Sequence, residues 1–165
     1  MRSAILTLWL LAFSPAASGQ ADQFSALRFL LGDWTAIETP AGESGSFAFR
    51  LSVQDRVLLR TNQAQYAASA DRPASLHEDL MVIYNDQGIL RADYFDNEGH
   101  VIRYSARADT ANTVTFVSDR QAQQPRYRLS YRVGPDGILI GSFEIAPPDS
   151  PDDFKPYLSW KARRR

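Results

Sequence analysis

The stretch Arg126–Val133 reads RYRLSYRV, and it alternates strictly between polar and apolar side chains. One face carries tyrosine, leucine and valine, and the other carries arginine and serine. Successive side chains of a β-strand point to opposite faces, so this segment has one apolar and one hydrated face. Such a segment is typical of an antiparallel sheet, which can bury one of its faces and leave the other in water.

Similar runs continue along the chain in both directions. The segment Gly45–Val53, GSFAFRLSV, alternates in the same way. Turn sequences that contain glycine, such as NDQG, DNEG and GPDG, separate the runs and favour hairpins. The pattern predicts about ten strands. They are Asp33–Thr39, Gly45–Val53, Arg56–Ala67, His77–Asn85, Ile89–Asp96, His100–Ala108, Thr113–Asp119, Arg126–Val133, Ile138–Ile145 and Phe154–Ala162.

Strands that follow one another through tight turns form a meander, and a meander of this length is expected to close. Closure removes the exposed edges at which another chain could pair. We therefore predict an all-β fold, an antiparallel up-and-down β-barrel of about ten strands with a short N-terminal helix. A β-sandwich is the alternative for the same strand pattern. A barrel of this size can enclose a cavity for one small ligand.

The N-terminal helix is predicted over Asp22–Leu31, where apolar residues recur at helical spacing. Gly32 is expected to end it, because glycine readily adopts the left-handed conformation at a helix C-terminus. Trp34 then falls on the first strand, within the sequence FLLGDW.

A short helix followed by Gly-x-Trp, here Gly32 and Trp34, resembles the calycin superfamily. Within that superfamily the chain resembles lipocalin-like, fatty-acid-binding-protein-like or nitrobindin-like barrels. The resemblance implies that this protein is an exported bacterial member. It implies that Trp34 lies near the barrel floor against a basic side chain from the last strand. Arg163 or Lys161 is expected there, where a cation–π contact contributes ~1 kcal/mol. Nitrobindin-like proteins bind haem through a histidine in the C-terminal part, and no histidine follows His100 here, so no haem or other cofactor is expected.

Residues 1–19, MRSAILTLWLLAFSPAASG, combine a basic residue, an apolar run and a small-residue end. This order predicts a secretory signal peptide, a barrel domain at 20–165, and export to the periplasm or the medium. The apolar run is short for a bilayer span, so no transmembrane segment is expected in the mature chain.

The composition narrows the classes of function. The 165-residue chain has no cysteine, and its formal net charge is −1. Cysteine nucleophiles and thiolate metal sites are thereby excluded. Nucleic acid is not expected as a partner, because its recognition requires a basic face.

His77, Glu78 and Asp79 form the densest polar cluster. On a strand, His77 and Asp79 point to one face and Glu78 to the other. These groups would act as acid or base in a barrel enzyme of isomerase or hydrolase type. A metal site would need a third and fourth ligand from elsewhere, so no metal is predicted.

Arginine and polar-tipped aromatic side chains within strands suit a pocket for an amphipathic ligand. The candidate ligand-binding residues are Arg60, Tyr66, Tyr84, Arg91, Tyr94, Tyr104 and Trp160. For Arg91, a surface ion pair with Asp93 is the alternative. We expect the barrel to bind a small hydrophobic or amphipathic molecule. A barrel enzyme and a structural envelope module with a filled barrel are the alternatives.

Overall fold

The computed structural model describes residues 22–70 and 73–165, so the predicted signal peptide at 1–19 lies outside the described residues. Ten antiparallel strands form one closed barrel, in which each strand pairs with its neighbours in sequence and β1 closes onto β10. The strands are β1 (Gly32–Ile37), β2 (Ser44–Ser52), β3 (Val57–Tyr66), β4 (Ser75–Asp86), β5 (Ile89–Asp96), β6 (Val101–Thr110), β7 (Thr113–Ser118), β8 (Arg126–Val133), β9 (Leu139–Ala146) and β10 (Lys155–Arg164). The predicted all-β barrel is confirmed, and the sandwich alternative is wrong.

The N-terminal helix is a 3-10 helix over Ser25–Leu30. The prediction of a longer helix over Asp22–Leu31 is therefore corrected in type and length. The Asp22 carboxylate accepts the backbone N–H of Phe24 at 3.1 Å and pairs with the Arg28 side chain. These local contacts favour the tight i→i+3 turns of a short 3-10 segment.

The helix closes one end of the barrel. The side-chain amide of Gln23 donates to the carbonyls of Asp55 and Arg56, at 2.9 and 3.0 Å, in the turn between β2 and β3. Leu27 and Leu30 of the helix are fully buried. We call this the closed end of the barrel.

Large side chains fill the barrel interior in the half next to the closed end. The most deeply buried of them are Trp34, Phe49, Leu58, Met81, Ile83, Tyr104, Phe116, Tyr131 and Leu139. The rings of Phe49 and Tyr131 meet edge to face, with centroids 5.5 Å apart. Full burial of each such side chain stabilises the fold by about 1.5–3 kcal/mol. None of the described residues belongs to a helix long and apolar enough to cross a membrane.

Candidate functional site

Trp34 anchors the helix at the closed end of the barrel. Its side chain is 1% exposed, and its indole N–H donates to the carbonyl of Leu30 at 2.8 Å. The guanidinium carbon of Arg164 lies 4.6 Å from the centroid of the Trp34 ring. Arg164 also donates to the carbonyls of Phe29, at 2.9 Å, and Leu31. Trp34 and Arg164 therefore fasten the helix to the first and last strands, and their role is architectural.

The basic residue over Trp34 is Arg164, and the prediction of Arg163 or Lys161 is corrected. Strand β10 continues past Ala162, and its register pairs Trp34 with Arg164 and Thr35 with Arg163. Because adjacent side chains of a strand point to opposite faces, Arg163 lies on the outer face. The expected basic side chain does come from the last strand, but it is Arg164, one residue after Arg163.

Gly32 leaves the room that Arg164 needs. A Cβ atom at this position would lie 2.8 Å from Nη1 of Arg164. The φ of Gly32 is +115°, a backbone conformation that side-chain-bearing residues rarely adopt. Glycine is thus required both by the backbone and by the arginine that crosses it.

At the edge of the packed half, beside Phe49 and Met81, the interior contains a buried ion pair between β3 and β4. Arg60 donates to the Asp79 carboxylate, and the two side chains are 6% and 3% exposed. The Asn62 amide donates to the second Asp79 oxygen at 2.8 Å. The guanidinium carbon of Arg60 lies 5.8 Å from the Phe47 ring centroid and 5.9 Å from that of Tyr131. Because both side chains are buried, water does little to screen the attraction between the Arg60 and Asp79 charges.

Two buried polar atoms beside this ion pair have no hydrogen-bond partner among the described residues. They are Nε of Arg60 and the hydroxyl oxygen of Tyr131. Burial raises the pKa of Tyr131 to about 12, although the charge of Arg60 opposes the shift. The phenol is therefore protonated at neutral pH and can donate or accept. A buried polar group without a partner costs about 1–3 kcal/mol, so each of these atoms lacks the hydrogen bond that would offset its loss of hydration.

A network of titratable side chains continues from the ion pair towards the opposite end of the barrel, where β3 is joined to β4 and β5 to β6; we call this the open end. His77 Nε2 lies 3.2 Å from Asp79 Oδ2, and His77 Nδ1 lies 3.2 Å from Glu98 Oε1. The Tyr94 hydroxyl lies 3.3 Å from His77 Nε2 and donates to Asp96 Oδ2 at 3.2 Å. Burial raises the pKa of Tyr94, and the charges of Asp79 and Asp96 raise it further. Tyr94 is therefore a hydrogen-bond donor to this network.

The turn between β5 and β6 forms part of the rim at the open end. The Asp96 Oδ1 atom accepts the backbone N–H groups of Glu98 and His100, at 3.0 and 2.9 Å. The His100 Nδ1 atom lies 2.9 Å from Asp96 Oδ2. Burial works against ionisation of Asp96, but hydrogen bonds from the His100 backbone and ring lower its pKa. The turn thus presents a charged carboxylate beside an imidazole.

The wall of the open end formed by β8, β9 and β10 is aromatic. Tyr127 and Phe143 stack with their centroids 5.7 Å apart, and Trp160 meets Tyr131 edge to face at 5.9 Å. Tyr127, Phe143 and Trp160 are only partly buried. A Cβ atom at Gly141, which pairs with Trp160, would overlap the indole ring. Glycine there lets Trp160 lie across β9, opposite the polar wall of β3, β4 and β5.

The predicted ligand-binding residues divide between the two faces of the barrel. The interior-facing ones are Arg60, Tyr66, Tyr94, Tyr104 and Trp160. Tyr66 lies at the end of β3 that is farthest from the helix-capped turn. Tyr104 is 1% exposed and packs against Phe116 at 6.3 Å, so it belongs to the filled half.

Tyr84 and Arg91 lie on the outer face and are removed from the interior set. The Tyr84 hydroxyl donates to Asp93 at 3.3 Å. Arg91 donates to Asp119 and to Ser105, each at 2.6 Å. The surface alternative for Arg91 thus describes its position, with Asp119 as the ionic partner in place of Asp93.

The division of the polar cluster on β4 is as predicted. His77 and Asp79 point inwards, and Glu78 points outwards, where it accepts a hydrogen bond from Gln63 at 3.1 Å. Glu78 is thereby removed from any chemistry inside the barrel. The sequence did not reveal which other residues surround His77, Asp79 and Arg60. They are Asn62, Asp96, Glu98, His100 and Tyr131.

Comparison with protein-family models found no match, and comparison with curated proteins found none by sequence. The geometry of the barrel therefore carries the functional argument.

Proposed function

We propose that the protein binds a small amphipathic molecule at the open end of a calycin-like barrel. The observation that carries the proposal is the pair of unpartnered polar atoms, Arg60 Nε and the Tyr131 hydroxyl, buried inside the barrel. A ligand oxygen that reached either atom would accept a hydrogen bond from it. The predicted export at residues 1–19 would bring this activity to the periplasm or the medium.

The ion pair determines the charge that the ligand should carry. Asp79 already neutralises Arg60 at this depth. A second full negative charge would therefore gain little and would lose its own hydration. A carbonyl or hydroxyl oxygen satisfies Arg60 Nε and the Tyr131 hydroxyl without that penalty, so a neutral polar end is preferred.

The aromatic wall would hold the apolar part of the ligand. Trp160, Tyr127 and Phe143 keep part of their surface uncovered at the open end. Each 100 Å² of apolar surface removed from water there contributes about 2.5 kcal/mol. A molecule with one polar end and a ring or short chain would thus contact both walls.

The arrangement at the closed end supports the calycin-like assignment within this proposal. The short helix, Gly32, Trp34 and the arginine over the indole are the features that the resemblance implied. In this chain they close one end of the barrel, and the proposed ligand site lies towards the other end.

Fluorescence titration with 6-propionyl-2-(dimethylamino)naphthalene, a neutral aromatic amphipath with one carbonyl oxygen, tests the proposal. We expect saturable binding of one probe molecule per chain. The double variant Arg60→Leu/Asp79→Leu removes the polar anchor without leaving a buried charge, and its affinity should fall at least ~tenfold. The matched control Tyr84→Phe alters only an outer-face hydroxyl and should bind as the unmodified chain does. Absence of saturable binding, or equal affinity in the double variant, would overturn the proposal.

A further inference from the structure

We propose that the rim of the open end is a binding site for a divalent transition metal, with Zn²⁺ as the fitting ion. The ligands are His77 from β4 and Asp96, Glu98 and His100 from the β5–β6 turn. The metal would bind without the amphipathic ligand, and the two sites share Asp79 as a hydrogen-bond partner of His77 and a member of the buried ion pair.

The spacing of the donor atoms fits one small cation. Ligand atoms of His77, Asp96 and Glu98 all lie within 4.8 Å of one another. His100 Nδ1 lies 2.9 Å from Asp96 Oδ2 and 3.8 Å from Glu98 Oε2. Donors bound at ~2.1 Å to a tetrahedral zinc ion are ~3.4 Å apart. The distances within the cluster lie on both sides of that value, so small side-chain rotations would complete the coordination.

The backbone holds three of the four ligands in place. Asp96 Oδ1 accepts the N–H groups of Glu98 and His100, which leaves Oδ2 directed at the cluster. The backbone N–H of Asn97 donates to the Glu78 carbonyl at 3.0 Å, which ties the turn to β4. The site is therefore built on paired strands and a hydrogen-bonded turn.

A second, independent feature is the set of groups behind the ligands. Metal-binding histidines commonly donate their other ring N–H to a carboxylate. His77 places Nδ1 towards Glu98 and Nε2 towards Asp79, whose second partner is the buried Arg60. The Tyr94 hydroxyl supports Asp96 in the same way, through a hydrogen bond to Oδ2. Each inner ligand on the buried side thus has an outer partner that fixes its orientation.

The donor types favour zinc over the alkaline-earth ions. Two imidazole nitrogens and two carboxylates suit Zn²⁺ and related transition metals, whereas Ca²⁺ and Mg²⁺ prefer oxygen ligands alone. Access is open, because the side chains of Glu98 and His100 are 57% and 59% exposed. The sequence expectation of no metal is revised here. Asp79 is a hydrogen-bond partner of His77 and not a ligand, and the other three ligands come from the end of β5 and the turn after it, which β4–β5 pairing brings next to His77.

Isothermal titration calorimetry on the full chain, without an affinity tag and after dialysis against a chelator, tests the proposal. Zinc chloride should bind at one ion per chain with micromolar or tighter affinity, and calcium and magnesium chlorides should give no saturable heat. Cobalt(II) should give the intense visible absorption of a tetrahedral site. No saturable zinc binding, or equal binding of calcium, would overturn the proposal.

Variants locate the ion. His77→Ala should weaken zinc binding at least ~tenfold, and so should His100→Ala, whose exposed side chain makes its removal compatible with folding. Glu78→Gln is the matched control, because Glu78 neighbours His77 but points to the outer face. Unchanged zinc affinity in both histidine variants would contradict the proposal. The fluorescence titration with the neutral naphthalene probe runs without metal, so failure of the metal site and failure of the ligand site are distinguishable.

Discussion

The guanidinium of Arg164 covers the indole ring of Trp34 at 4.6 Å and also binds two carbonyls of the N-terminal helical segment. One side chain from the last strand thus joins the first strand to the helix. This contact closes one end of the barrel.

Replacing Arg164 tests that contact. Arg164→Ala loses the cation–π contact and both hydrogen bonds, and its free energy of unfolding should fall by about 1–2 kcal/mol, since the side chain is exposed. Arg163→Ala, on the outer face of the same strand, should change it by less than about 0.5 kcal/mol. Urea unfolding of both variants measures the difference. Equal effects of the two substitutions would contradict the assigned role.

The buried ion pair should behave differently when broken and when replaced. Asp79→Leu leaves the Arg60 charge buried without its partner, and we expect a loss of about 3–5 kcal/mol. The double variant Arg60→Leu/Asp79→Leu should be more stable than that single variant, because no charge is stranded. Urea unfolding again gives the comparison. A double variant that is less stable than Asp79→Leu would contradict the account.

Segments in which polar and apolar side chains alternate were predictable from the sequence as strands. The segment RYRLSYRV became β8 with the predicted bounds, because its apolar face is continuous. The end of β10 was missed, since the final basic run has no apolar alternation to mark a strand. No motif in that run singles out Arg164, so the sequence predicts Arg163 or Lys161 as the partner of Trp34.

The candidate site was harder to predict for two physical reasons. Both faces of β5, ILRADYFD, carry polar and apolar groups, so the sequence alone leaves Arg91 open as a ligand contact or as a surface residue. The sequence DNEGH was interpreted only as a hairpin turn. Its proximity to His77 depends on the pairing of Asp79 with Asp96, a register that no local pattern in either strand reveals.

The ion pair of Arg128 with Glu144 should make stability depend on pH. Hydrogen bonds from Arg128, at 2.6 and 2.7 Å, lower the pKa of Glu144 against the opposing effect of burial. The folded state therefore takes up this proton less readily than the unfolded state does. The stabilisation is present above the usual glutamate pKa and is lost as the pH falls through the lower folded value.

Glu144→Gln removes this titration and keeps Arg128 against the Phe154 ring, which lies 4.4 Å away. The variant should be less stable than the unmodified chain by up to about 1 kcal/mol near neutral pH. The difference should shrink as the pH falls, because protonated Glu144 resembles glutamine. Urea unfolding at several pH values measures it. A difference that grows in acid would contradict the prediction.

Gly141 should control the position of Trp160. Gly141→Ala forces the indole away from β9, and we expect a loss of about 1–3 kcal/mol together with a shift in tryptophan emission. Gly45→Ala is the matched control, because its nearest contact would be 3.4 Å away. An unchanged emission spectrum in Gly141→Ala would show that Trp160 does not lie across that glycine.

Native mass spectrometry of the full chain, purified from its own host under non-denaturing conditions, tests the ligand-binding claim most directly. We predict a small-molecule adduct that denaturation releases. The Tyr84→Phe variant should retain the adduct, and Arg60→Leu/Asp79→Leu should lose it. A measured mass equal to that of the polypeptide alone would contradict the claim that the open end of the barrel holds a ligand. So would an adduct of undiminished abundance in the double variant.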